Sequence, residues 1–121
     1  MTYQETEAMI SHQVVDRRLT GVSFVLNYIQ LQFDPPPTVN ALTPVAVRSA
    51  GLHSIQGEET FRNLLCDQVL KTVASVRLHQ EEALTFEFVD GSEISVSLHP
   101  SDYVSAEAVN IYGKDHFGLV I

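Results

Sequence analysis

The chain has 121 residues, fifteen of them acidic and seven basic, for a formal charge of −8, with 45% hydrophobic residues and a single cysteine, Cys66. That is enough chain for one core without covalent staples. It is too acidic for the phosphate contacts that carry nucleic-acid binding or for an anionic membrane surface, and one cysteine excludes both an internal disulfide and a thiolate metal cluster.

Thr2 followed by Glu5 has the spacing of a capping box and predicts a short helix to about Gln13, with Met9 and Ile10 inward. Met1 to Glu7 has neither a basic segment nor a long apolar run, so no secretory signal is expected and a cytoplasmic location follows. After Arg17-Arg18 the periodicity changes to two. Val22, Phe24 and Leu26 share one side of a strand, and Ile29, Leu31 and Phe33 alternate with Gln30 and Gln32. Pro35, Pro36 and Pro37 must leave any ladder, because proline has no N–H to donate. A further strand is expected over Thr43 to Ser49, ended by Ala50-Gly51, with Gly51 to Gly57 forming a loop that contains His53 and Ser54.

A second helix is expected after Gly57-Glu58-Glu59, whose acids suit a first turn. Its stripe is Phe61, Leu64, Leu65 and Val69, with Cys66 as a buried thiol. The next strands carry Leu84, Phe86 and Phe88, then Ile94, Val96 and Leu98. A three-residue loop, Val89-Asp90-Gly91, sets Phe86 opposite Ile94 and Leu84 opposite Val96, and it gives Gly91 the left-handed position. Ala108 to Tyr112 and Phe117 to Ile121 predict a last hairpin about Gly113-Lys114-Asp115.

The apolar spacing from Gln13 to Phe33 recurs from Gln68 to Phe88 with a single-residue gap, although only the second run ends on a visible hairpin turn. The expected fold is α+β: one domain, residues 1–121, of two repeated αβββ-like halves, about 1–55 and 56–121. They would form a mainly antiparallel twisted sheet with the helices on one face. A small β-barrel with one helix is the alternative.

Two groups of residues could carry function. The three-residue loop places Glu81 opposite His99, with His79, Glu82 and Asp102 close by, so imidazoles and carboxylates gather at one sheet edge. Arg48, Arg77, Glu87, Ser95 and Ser97 belong to a polar outer face, continued in the first half by Ser23, Asn27, Gln30 and Gln32. On that face Glu87 falls opposite Glu93, which needs a cation between them, and Arg77 is diagonally placed to supply it. No ligand spacing predicts a metal, no Gly-rich loop predicts a nucleotide, and no cofactor is expected.

Val73 to Leu78, then Ala83 to Ser92 with its Asp-Gly turn, and then Ala106-Glu107-Ala108-Val109 form a pattern. It resembles small uncharacterised bacterial α+β domains, some of them immunity-protein-like, over about residues 68–112. The resemblance implies a bacterial, soluble, non-enzymatic domain. Together with the acidity and the lack of a catalytic motif, it points to a non-catalytic interaction module acting by homodimerisation or through a protein partner. The rival expectation is a small metal-dependent or acid–base enzyme using His79, Glu81 and His99. A small-molecule ligand is left open.

Overall fold

The computed structural model describes residues 2–121. Helix α1, Tyr3–Val14, starts at the capping box read from the sequence. The Glu5 N–H donates to Thr2 Oγ1 at 3.0 Å, and the Thr2 N–H donates to Glu5 Oε1 at 3.1 Å. Its inward side is Ile10 and Val14, whereas Met9 is part-exposed. The strands that follow are β1 (Arg18–Val25), β2 (Tyr28–Asp34), β3 (Thr38–Ala41), β4 (Val45–Ser49) and β5 (Leu52–Ile55). Helix α2 is Phe61–Cys66. After it come β6 (Val73–His79), β7 (Ala83–Phe88), β8 (Glu93–Ser97), a 3₁₀ turn at Pro100–Asp102, β9 (Val109–Tyr112) and β10 (Gly118–Val120).

The strands form two sheets rather than one, all pairs antiparallel and neither closed into a barrel. The first runs β1-β2-β3-β9-β10 and the second β5-β4-β8-β7-β6. The first sheet therefore takes three consecutive strands plus the distant hairpin β9–β10, and the second is made of the five consecutive strands β4 to β8. Leu31, Phe33 and Val39 of the first sheet and Leu84, Phe86 and Ile94 of the second belong to one buried cluster, with the Phe33 and Phe86 rings 5.9 Å apart. Alternation puts these side chains on the inner faces and the polar residues between them on the outer faces.

The sheets meet where β1 and β6 begin. Arg18 bridges Thr72; the Leu19 N–H donates to the Lys71 carbonyl and the Val73 N–H to the Arg17 carbonyl, both at 2.9 Å. The helices do not cover one face, as the sequence suggested. Helix α1 packs along β6, whose free edge it blocks: the Leu78 N–H donates to Glu7 Oε2 at 2.8 Å. Helix α2 lies against β4, β5 and the end of β1.

The three-residue loop is present. Phe86 pairs with Ile94, Leu84 pairs with Val96, and Gly91 has φ +89°. The triple proline also turns a hairpin, contrary to the expectation that the first run lacks one: the Phe33 N–H donates to the Pro37 carbonyl, and β2 pairs with β3. Strands β3 and β5 were not expected; each is four residues long, and each contains residues of low strand preference, Asn40 in β3 and His53-Ser54 in β5. Helix α2 is shorter than its stripe. Glu58 sits in the preceding turn, accepting from the Ile55 N–H, and Val69 lies past the helix end. Cys66 is exposed rather than buried, because it is the last helical residue and turns away from Leu64 and Leu65. Leu26 is 96% exposed at the β1–β2 turn instead of sharing a strand face with Phe24. No helix among the described residues is long and apolar enough to cross a membrane.

Candidate functional site

The outer face of the second sheet holds the charged part of the polar set. Glu87 and Glu93 are cross-strand partners. Arg77, one strand away, reaches both: Nη1 to Glu87 Oε1 at 3.1 Å and Nη2 to Glu93 Oε2 at 2.6 Å. From the other side Arg48 Nη1 meets Glu93 Oε1 at 3.2 Å. Two cations and two carboxylates thus close a neutral array over four strands, with Ser75 donating to Glu87 and Thr85 hydrogen-bonded to Ser95. The array holds the Arg77 guanidinium above its ordinary range, chiefly through the hydrogen bond to Glu93.

The His/Glu edge is spread along the end of this sheet. His79 ends β6 and its Nδ1 lies 3.6 Å from Glu82 Oε2, both side chains exposed. Glu81 occupies the turn at φ +61°, and the Glu82 carbonyl accepts from the Leu98 N–H. Asp102 lies in the 3₁₀ turn and accepts from Ser97 Oγ, while the exposed His99 donates its N–H to the same Ser97 oxygen. Asp102 is therefore tied to Ser97, and Glu82 is the carboxylate beside His79. Among the described residues no three His, Cys, Asp or Glu side chains are grouped so as to hold a metal ion.

At the other end of the second sheet, Lys71 is drawn into a polar knot. Its Nζ donates to Gln68 Oε1 at 2.9 Å, Ser92 Oγ at 3.0 Å and Ser49 Oγ at 3.3 Å, and pairs with Asp90 Oδ2 at 2.8 Å. Asp90 also accepts from the Ser92 N–H and hydroxyl. The hydrogen bond from Lys71, and then those from Ser92, hold the Asp90 carboxyl far below the usual carboxylate range.

The outer face of the first sheet differs in kind. Facing positions on β1, β2, β3 and β9 are Ser23, Gln30, Asn40 and Asn110, with Gln32, Thr38 and Tyr112 in the next row. Their side chains form one directed chain. Gln32 Nε2 donates to Ser23 Oγ at 3.1 Å and to Gln30 Oε1 at 2.8 Å, and Gln30 Nε2 donates to Asn40 Oδ1 at 3.1 Å. Asn40 Nδ2 donates to Asn110 Oδ1 at 2.9 Å and to the Tyr112 hydroxyl at 2.8 Å, and Asn110 Nδ2 ends the chain on Glu107 Oε2 at 3.2 Å. Each amide orients the next, so the row is rigid for an exposed face. Glu107 is its only charge, and Tyr112 and Val120 stand half-exposed beside it.

Sequence reasoning had Ser23, Gln30 and Gln32 on a polar face and Ala108 to Tyr112 as a separate surface strand, but it missed Asn40 and Glu107 and did not join Asn110 and Tyr112 to that face. One signal could have found Asn40: the hairpin at Val89–Gly91, moved back 55 residues, puts a turn at Asp34–Pro36 and a strand from Thr38. No protein-family model, curated protein or solved structure matches the chain.

Proposed function

We propose that this chain is a non-catalytic interaction module whose contact surface is the outer face of the first sheet. The observation that carries the reading is an amide-lined row whose one charged member is Glu107 at its end, with the facing pair Arg18 and Asp34 beyond its opposite end, in a protein of net charge −8. Depletion of charge and the presence of tyrosine are what distinguish the centre of a protein interface from ordinary surface. The amide row is also held in place beforehand, which lowers the ordering cost of association. The charged face of the second sheet is the weaker candidate, since Arg48, Arg77, Glu87 and Glu93 already satisfy one another.

A photo-crosslinking residue placed at Val120 is expected to give one adduct of defined mass in cells, and Gln30→Lys on the same face should abolish it. The same crosslinker at Ser95, on the second sheet, should give none. Adducts from Ser95 alone, or from neither site, would remove the first sheet from consideration.

We further infer that residues 1–55 and 56–121 are two copies of one unit. Several coincidences support this. The β2–β3 register, Ile29 with Ala41 and Leu31 with Val39, repeats 55 residues on as Leu84 with Val96 and Phe86 with Ile94. A bulge between Leu19 and Gly21 has its counterpart between Val73 and Ser75, and Asp16 and Leu70 share positive φ. The Arg18–Thr72 bridge joins positions 54 apart, the same offset as the bulges and the two positive-φ residues, as expected where a twofold axis relates the copies.

A further inference from the structure

The tip of the β1–β2 hairpin is the most exposed apolar feature of the molecule. Phe24 is 41% exposed, Val25 43% and Leu26 96%, three consecutive residues. Its counterpart, the β6–β7 tip, is polar: Gln80, Glu81 and Glu82. Contiguous apolar surface at a projecting turn is rare on a monomer and marks an interaction site. Beside the tip runs an open groove of about 440 Å³, walled by Phe24, Val25 and Leu26 of the tip, with the nearly buried Ile29 and Phe61 beneath and Glu58, Glu59 and Arg62 at the rim. The Arg62 guanidinium lies 5.2 Å from the Phe24 ring centroid, and among the described residues neither Arg62 nor Glu59 makes an ion pair.

We infer that this tip is a self-association site at which Leu26 of one copy enters the Phe24–Phe61 groove of a second copy, and reciprocally. An isologous contact needs a knob and its hole on the same patch, and here they are adjacent. A twofold arrangement also sets Arg62 of each copy against the Glu58–Glu59 rim of the other, so the rim charges complement each other. An anionic bilayer suits the same apolar tip less well, since two carboxylates border it against one arginine. The inference concerns a surface other than the amide face and does not depend on that proposal. A contact confined to one hairpin tip and its groove belongs with weak, transient interfaces, so association is expected only at concentrations of roughly tens of micromolar or more.

Sedimentation velocity on the full chain, up to about 500 μM, tests it. Wild type should shift from monomer to dimer with concentration. Leu26→Asp, at a position exposed enough to leave folding intact, should weaken the dimer at least tenfold, and so should Arg62→Glu. Adding Glu59→Arg to Arg62→Glu should restore the affinity to within about threefold, because the charges are exchanged rather than lost. A wild type that stays monomeric, a dimer that persists in Leu26→Asp, or a charge exchange that fails to restore it would each overturn the inference. A dimer broken by Gln30→Lys and untouched by Leu26→Asp would also overturn it, while leaving the amide face standing.

Discussion

Replacing Lys71 by methionine tests whether the polar knot is held by one buried carbonyl. Gln68 is fully buried, and among the described residues Lys71 alone donates to its Oε1. Losing that donor strands an acceptor in the core at a cost of about 1–3 kcal/mol. The pair with Asp90 is half-exposed and adds no more than about 1 kcal/mol. Lys71→Met should therefore destabilise by roughly 2–4 kcal/mol. The double variant Lys71→Met/Gln68→Leu removes that acceptor and its donor together and should recover about 1 kcal/mol or more of the loss, the remainder being the Asp90 pair and the Leu64 carbonyl, which gives up the 2.8 Å hydrogen bond from Gln68 Nε2. Urea unfolding followed by circular dichroism measures all four species. A double variant destabilised by the sum of the two single effects would refute the account, because the cost would then come from lost packing or from Asp90.

Two further outcomes follow from the charged groups. The Asp90 carboxyl is held low in the fold and is ordinary, near ~3.9, when unfolded. Its contribution is thus fully present above about pH 4 and is lost as the pH falls toward the folded value. Urea midpoints measured at neutral and strongly acid pH should fall less in Asp90→Asn than in wild type, and equal falls would show that Asp90 is not the linked group. Arg77→Ala leaves Glu87 facing Glu93 with Arg48 alone and should cost about 1–2 kcal/mol. Glu87→Gln in that background should recover part of the loss, and added salt should reduce it; a loss indifferent to both would place the effect in the Arg77 stem rather than its charge.

Much of the second sheet was legible in the sequence, because its signals are local. The Asp-Gly turn and the alternation on either side of it allow one register, and that register predicts both the Glu87–Glu93 clash and its relief by Arg77. The division into two sheets was not legible. β3 pairs with β9, and Asn40 lies 70 residues from Asn110; no local pattern states which edges will meet at that distance. The amide row was hidden for the same reason, since Asn110 and Tyr112 lie on β9 and its centre on a four-residue strand that follows three prolines. Leu26 and Cys66 failed differently. Periodicity assigns a face, but a turn or a helix end releases the residue from it.

The exchange of hairpins between the sheets also bears on how the chain reaches this state. β4 and β5 complete the sheet of β6, β7 and β8, while β9 and β10 complete that of β1, β2 and β3. The second sheet is built of five consecutive strands, β4 to β8, but the first cannot be finished from a contiguous stretch, and its closing β3–β9 pair spans a long loop whose entropy must be met before the contacts form. Folding should therefore be slow for a domain of this size. During synthesis the β3 edge stays open until β9 has been made, so the nascent protein carries one unpaired sheet edge while the residues between them are made.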